Sequence, residues 1–305
     1  MTYKLVGIGE VLWDMLPGGK RLGGAPANFT YHARSLGADA RLVSRLGYDE
    51  LGWAARSRLA ALGVPGHCLE MDPSRPTGTV SVEIAADGQA KYHFPENVAW
   101  DALAGDPAGR LAVSQADAIC FGTLAQRQEP SRSTIRSLVA AAARSALRIF
   151  DVNLRQSFFT PEVIEESLKL ANVLKVNDAE LPRLAAMFQL TGDERTQISQ
   201  LAGRYRLRLV ACTRGSNGSL LFAEGQWSEH PGIPTEVVDT VGAGDAFTAA
   251  MTLGVLAKWD LDRVNREANQ VAAYVCGCSG ATPELPDRLR GAYLAVTTIE
   301  GTKPS

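Results

Sequence analysis

Two kinds of apolar pattern alternate along this chain. Short runs rich in Val, Ile and Leu occur at 4–8, 41–45, 118–121, 148–152, 173–176 and 207–212. Between most of them lie longer stretches whose apolar residues recur at helical spacing: 26–36, 52–62, 133–145, and segments opening at Pro161 and near Asp178. Gly37 and Gly63 follow two of these stretches, where a left-handed residue ends a helix. A strand followed by a helix and another strand predicts parallel pairing, because the crossover returns the chain to the same end of the sheet. The expectation is an α/β chain with a mostly parallel central sheet covered by helices on both faces. The alanine-rich run 138–146 reads as helix packing.

One segment departs from this rhythm. Residues 79–84 and 90–94 flank Ala86-Asp87-Gly88, and an Asp-Gly pair between β-rich runs is a strong hairpin signal. A hairpin cannot easily join a parallel sheet, so it is expected to stand off as a small antiparallel lid, whose exposed edges favour cover by a second subunit. Further on, 246–256 is almost free of polar side chains and predicts a buried helix. Its first turn begins inside Gly242-Ala243-Gly244, between the carboxylates Asp239 and Asp245. The first N–H groups of a helix lack partners and the helix dipole favours an anion there. Asp245 has two readings, a helix cap or a proton acceptor beside a bound anion; two glycines and two carboxylates together favour the chemical one.

Composition narrows the partners. The 305 residues are 46% hydrophobic and 21% charged, as in an ordinary globular protein. A net charge of -2 and no Lys/Arg run argue against nucleic acid or an anionic membrane as partner, which leaves a small molecule. Cys68, Cys120, Cys212, Cys276 and Cys278 are scattered and fit neither a zinc knuckle nor a redox motif. Reduced thiols and an N-terminal apolar run ending at Gly9-Glu10 suggest a cytoplasmic protein without signal peptide or membrane span.

Several motifs cluster at strand ends. Gly7-Ile8-Gly9 starts like a dinucleotide fingerprint, but Leu12 stands where the third glycine belongs and Pro17-Gly18-Gly19 follow instead of a helix. NAD binding is rejected, and no P-loop occurs. Gly23-Gly24-Ala25-Pro26-Ala27-Asn28 opens a helix with proline in its first turn. Read alone it is either a plain strand-to-helix turn or a ligand turn. Asn28 and the nearby Asp14 are suited to sugar hydroxyls, one donating and accepting, the other accepting. Asp151-Val152-Asn153-Leu154-Arg155, Asn177-Asp178-Ala179-Glu180 and Thr213-Arg214-Gly215 lie at later strand ends, where ligands of open α/β sheets bind. His32, His67, His93 and His230 lack metal-ligand spacing and read as core or surface. Trp53 and Trp227 read as packing residues, whereas Trp13 and Trp100 flank the sugar region.

On these motifs the chain, from Gly7 to about Pro286, resembles the ribokinase-like (PfkB) family of sugar kinases, most closely the bacterial fructokinase type. Asp239-Thr240-Val241-Gly242-Ala243-Gly244-Asp245-Ala246-Phe247 matches the C-terminal signature, and Gly23 to Asn28 the N-terminal one. The resemblance implies a three-layer α/β/α fold, one kinase domain over 1–305, with a β lid formed mainly by 11–22 and 77–98. It implies ATP and Mg²⁺ as cofactors, with K⁺ in many relatives. It makes Asp245 the base and Gly242, Ala243 and Gly244 the anion hole, with Arg155 near the sugar or the transferred phosphate. By the same resemblance Asp14, Gly24 and Asn28 would bind the sugar; Glu96 and Asn97, in the stretch after the lid hairpin that departs from many fructokinases, are further candidates to face it, with a solvated loop charge the equal alternative for Glu96. The resemblance further implies that Asn177 and Glu180 organise magnesium and phosphate, that Thr213 and Gly215 form the nucleotide turn, and that Asn269 lies near the adenine. Asp239, Val241, Val275, Cys278 and Gly280 line a monovalent-cation loop.

The implied reaction is transfer from ATP to D-fructose. Pro26 stands where some relatives have lysine, which favours a neutral hexose. The stretch from His93 to Trp100 departs from the arginine-containing segment of many fructokinases. Rivals are a 2-keto-3-deoxygluconate kinase, whose substrate would need Arg127 or Arg155, a nucleoside kinase, and an inactive sugar-binding regulator. Homodimer formation through the lid is a further expectation.

Overall fold

The computed structural model describes residues 2–84 and 90–297. In chain order it contains β1 (Lys4–Ile8), β2 (Leu12–Leu16), β3 (Gly19–Gly23), α1 (Ala25–Ser35), β4 (Asp39–Gly47), α2 (Glu50–Ala61), β5 (Leu69–Asp72), β6 (Gly78–Ile84) and β7 (Ala90–His93). Next come α3 (Pro107–Ser114), β8 (Ala118–Phe121), α4 (Ser131–Ala141), β9 (Leu147–Asp151), α5 (Pro161–Leu170), β10 (Val173–Asn177), α6 (Leu181–Phe188), α7 (Glu194–Tyr205) and β11 (Leu209–Thr213). The chain continues through β12 (Ser219–Ala223), β13 (Gln226–His230), α8 (Ala243–Leu256), α9 (Leu261–Cys276) and α10 (Asp287–Thr297).

Nine strands form the main sheet in the order β13-β12-β11-β10-β9-β8-β1-β4-β5. Pairing is parallel from β11 to β5, and β12 and β13 add an antiparallel edge. Because side chains alternate along a strand, neighbouring residues feed opposite cores. Ala118 and Cys120 of β8 face the layer built from Phe29, Phe247, Met251 and Tyr293. Ile119 and Phe121 face the layer containing Phe150, Ile164, Leu184 and Leu201. The sandwich expected from the sequence is therefore present, with α1, α8, α9 and α10 on one face.

The second sheet has the order β3-β2-β6-β7. It corrects the expected antiparallel lid: two antiparallel hairpins are joined by a parallel β2–β6 pairing, from Leu12↔Gly78 to Met15↔Ser81. The cause is topological. β2 follows β1 and β6 follows β5, and these parallel strands deliver both segments from the same end of the main sheet. The Asp87-Gly88 turn lies outside the described residues.

Two boundaries also differ. α4 stops at Ala141 rather than 145, with Ala142 in extended backbone, so the helix read over 138–146 covers only its first part. Ala146 is buried and its carbonyl accepts from Asn172 Nδ2 at 2.9 Å, so entry into β9 overrides alanine's helix preference. α2 begins at Glu50, where Asp49 caps it by accepting from the Gly52 N–H at 2.7 Å. Among the described residues no helix is long and apolar enough to cross a membrane.

Candidate active site

The mouth of α8 lies beyond the carboxyl ends of the parallel strands. Gly242, its first flanking residue, is left-handed at φ 81°. A side chain would be strained there and its Cβ would fall 2.6 Å from the Ala281 carbonyl oxygen. The N–H groups of Gly244 and Asp245 find no acceptor among the described residues. They remain available to an anion.

Asp245 stands in that first turn, and its Oδ2 accepts from Asn28 Nδ2 of α1 at 2.9 Å. The residue keeps some solvent contact, yet burial and the Asp151 carboxylate push its pKa up from 3.8 to about 7, against the lowering effects of Asn28, Lys175 and Arg155. A carboxyl tuned toward neutrality is suited to accept a proton near pH 7. Asp151, at the end of β9, is buried between Lys175 Nζ at 3.2 Å and the Thr248 hydroxyl at 2.9 Å. Burial disfavours the Lys175 ammonium, but Asp151, Glu180 and Asp245 outweigh this and raise its pKa. Its Nζ lies 3.1 Å from where a Gly244 Cβ would be, so a fixed cation backs the turn.

Lys175 was missed by the sequence reading. Its signal was a single cation inside Val173-Leu174-Lys175-Val176, since a buried charge in a parallel strand requires a partner. Glu10 was missed as well, since the sequence marks it only as the end of the N-terminal apolar run. Only 3% exposed, it accepts from the Ala25 N–H at 3.3 Å through Oε1, while Oε2 has no partner among the described residues. It caps α1 remotely, because Gly24 has no side chain to do so; burial raises its pKa to about 7.

Asp14, half-buried on β2, lies over Gly23, where an added Cβ would be 2.6 Å from its Oδ2. Burial raises its pKa and Arg155 opposes this. Arg155 is exposed; among the described residues its guanidinium donates to the Leu154 carbonyl at 3.3 Å and makes no ion pair. Its charge reaches Asp14, Glu10 and Asp245 alike. Glu96 and Asn97 are exposed in the loop after β7 and make no hydrogen bond among the described residues. That loop is held by Arg127, which bonds both oxygens of buried Asp101 at 2.8 and 2.7 Å and the Pro95 carbonyl at 2.5 Å.

The two tryptophans singled out beside the sugar region are packing residues. Trp13 is buried with its N–H on the Leu51 carbonyl at 2.9 Å, and Trp100 lies beneath the Arg127 guanidinium, 4.1 Å from its ring centre.

Asn177 and Glu180 close a loop on each other. Glu180 Oε1 accepts from the Leu154 N–H at 2.8 Å and Oε2 from the Asn177 N–H at 2.9 Å, while Asn177 Oδ1 accepts from the N–H groups of Ala179 and Glu180. Burial raises the Glu180 pKa, and Lys175 opposes it. With both oxygens accepting backbone N–H groups, this carboxylate fits a magnesium ion held through water. Thr213 ends β11, and Gly215, left-handed at φ 54°, begins the exposed turn after it.

Asn269 is turned inward: its amide nitrogen donates to Ser219 Oγ at 2.7 Å and to the Asn265 carbonyl at 2.8 Å. Asp239 draws two loops together, accepting from the Val241 N–H at 3.0 Å and the Gly280 N–H at 3.1 Å; Arg21 Nη1 lies 3.3 Å away. Val275 is buried and its carbonyl accepts from the Cys278 N–H at 3.0 Å. Carboxylate and carbonyl oxygens of this kind are donors for hard cations rather than for soft transition metals. Among the described residues no cluster of three or more His, Cys, Asp or Glu side chains is arranged to hold a metal.

A fructokinase from Klebsiella pneumoniae is 30% identical over 295 residues, covering 92% of this chain and 94% of its own. The crystal structure of a sugar kinase from Pyrococcus horikoshii in complex with ATP is 27% identical, with a TM-score of 0.78 over 91% of this chain and 94% of that one. A Vibrio cholerae fructokinase, solved with fructose, ADP and calcium, shares the fold at a TM-score of 0.81 and 22% identity, over 96% of this chain and 99% of that one. The family model described as "pfkB family carbohydrate kinase" matches residues 15–288, which takes in the α8 mouth, the Asn28 helix and the Asn177–Glu180 loop, and this chain belongs to that family.

Proposed function

We propose that this ATP-dependent sugar kinase phosphorylates the primary 6-hydroxyl of D-fructose. The observation that carries the reading is the Asn28–Asp245 hydrogen bond of 2.9 Å, which joins the two glycine-led helix starts into one site. Asp245 takes the hydroxyl proton. In the turn formed by Gly242, Ala243 and Gly244, the N–H groups of Gly244 and Asp245, which have no acceptor among the described residues, hold the transferring phosphoryl group, and Lys175 behind them adds positive charge. Phosphoryl transfer asks the protein mainly for alignment and charge neutralisation.

Asp14 and Asn28 hold sugar hydroxyls, with Gly24 allowing close approach and Glu96 and Asn97 closing from the loop after β7. Asn177 and Glu180 would hold magnesium through water, and the metal, bound with ATP, would neutralise phosphate charge. Thr213 and Gly215 meet the nucleotide, and Asn269 supports that region through Ser219. A monovalent cation in the Asp239–Gly280 loop would steady the anion hole, with Val241, Val275 and Cys278 lining it. The small sheet acts as a lid on a single kinase domain, and its free edges, β3 and β7, are the surfaces through which two copies would meet. The site of action is the cytoplasm.

A neutral sugar is supported by Arg127, whose guanidinium is committed to Asp101 and Pro95. The specific observation favouring another acceptor is Arg155, a cation without a carboxylate partner among the described residues, which would suit 2-keto-3-deoxygluconate. Magnesium-dependent ADP release, measured with fructose, 2-keto-3-deoxygluconate, ribose and adenosine in turn, decides between them. Fructose should have the highest kcat/KM. A higher value for the keto-acid sugar, lost in Arg155→Ala, would replace fructose as the substrate, and tight sugar binding without ADP release from any of them would identify a regulator.

A further inference from the structure

α1 does more than present Asn28. One helical turn further on, His32 is wholly buried with Nε2 2.9 Å from the Ala281 carbonyl oxygen. A carbonyl only accepts, so Nε2 carries the proton and Nδ1 is a bare acceptor, for which the described residues provide no donor. Burial holds the ring's pKa down at about 4, opposed by the Ala281 hydrogen bond, so the imidazole is neutral near pH 7. Leaving a buried ring nitrogen unsatisfied costs stability, and an apolar side chain would avoid that cost. The compensating contact is with Ala281, the residue whose backbone lies directly against left-handed Gly242: a Cβ on Gly242 would meet the Ala281 Cα at 2.7 Å and its oxygen at 2.6 Å. Positions 28 and 32 share one face of α1, so one helix side holds both the Asp245 carboxyl and the backing of the α8 turn.

We propose that His32 is a positioning residue for phosphoryl transfer, its Nε2–H anchoring Ala281 so that Gly242 and the N–H groups after it stay in register with Asp245. The inference rests on the reading of Gly242 to Gly244 as the phosphoryl site. It differs from a packing role in requiring a donor at one place.

The test compares His32→Phe, which keeps the ring's bulk and removes the donor, with His32→Gln, whose amide N–H can replace it. Tyr31→Phe serves as control, since it removes a hydrogen bond to the same segment, at the Pro283 carbonyl, away from Gly242. Steady-state kinetics use MgATP and D-fructose, and thermal melting reports folding. His32→Phe should lower kcat about tenfold, the effect of one neutral hydrogen bond, with fructose KM within about twofold. His32→Gln should recover most of that loss, and Tyr31→Phe should stay within about twofold of wild type.

Equal kcat for wild type and His32→Phe would overturn the inference, as would equal impairment of the Phe and Gln variants. If His32→Phe fails to fold, His32→Asn, whose amide is too short to reach Ala281, takes its place against the Gln variant with the same outcomes. A wild-type protein that phosphorylates none of the sugars would instead refute the proposed function. ATP affinity measured by calorimetry would then decide the His32 inference, with weakening in Phe but not Gln supporting it and equal affinities overturning it.

Discussion

Replacing Asp245 by Asn separates two consequences of one burial. The substitution preserves shape and leaves an oxygen to accept from Asn28, but removes the charge. The carboxyl's pKa rises from 3.8 to about 7 on folding, chiefly through burial and then through Asp151. Below about pH 4 the group is neutral in both folded and unfolded chains. As pH rises the unfolded chain releases the proton first, so the folded state loses stability between about pH 4 and 7 and the loss is complete above 7. Roughly three pH units at about 1.4 kcal/mol each gives up to about 4 kcal/mol, which solvent contact at this half-buried residue screens to about 2 kcal/mol.

Asp245→Asn should therefore melt a few degrees above wild type at pH 8, and the difference should shrink toward zero near pH 4.5. Over the same comparison, turnover at pH 8 should fall by about 10²- to 10⁴-fold, the usual contribution of a positioned base, with sugar affinity little changed. Melting curves of both proteins at the two pH values, with ADP release at pH 8, make the measurement. A melting difference independent of pH would refute the burial argument, and near-wild-type turnover would refute the base.

Other outcomes follow from the same geometry. For the wild-type enzyme, kcat/KM should rise with pH to a plateau above about 7 as Asp245 deprotonates, and a profile flat from pH 5.5 to 8 would contradict the pKa reasoning. Glu10→Gln keeps an acceptor for the Ala25 N–H and should hold fructose KM within about threefold of wild type, whereas Glu10→Ala removes the cap and should raise KM about fivefold; equal effects of the two would rule out the capping role. Arg127→Met leaves Asp101 buried without its partner and should cost about 3–5 kcal/mol in denaturant unfolding, and adding Asp101→Leu should restore part of it; a double variant no better than the single would show that the ion pair is not the source.

The alternation of strand and helix, and with it the three-layer sheet, was legible because local periodicity and glycine stops repeat from Lys4 onward. The smaller sheet was legible only in part. Its Asp-Gly hairpin signal is local, but the parallel β2–β6 pairing joins Leu12 to Gly78, a register set by where the strands leave the main sheet. α7, α9 and the β12–β13 edge were not recognised, since α7 is rich in polar residues and a short antiparallel edge resembles any turn-bounded run.

For the site, sequence by itself determined the chemical types: glycines at two helix starts, Asp245 in the first turn of α8, Asn28 in that of α1, and the polar strand ends at Asn177, Glu180 and Thr213. These rest on backbone requirements that neighbouring residues express directly. Tertiary structure alone decided the states of those groups and their partners. Burial beside Asp151 raises Asp245, Lys175 gains its partner from the adjacent strand, Glu10 caps a helix fifteen residues away, and His32 reaches Ala281 across 249 residues. The physical reason is that charge state and hydrogen-bond satisfaction depend on what packs within a few ångströms in space, which spacing along the chain does not encode.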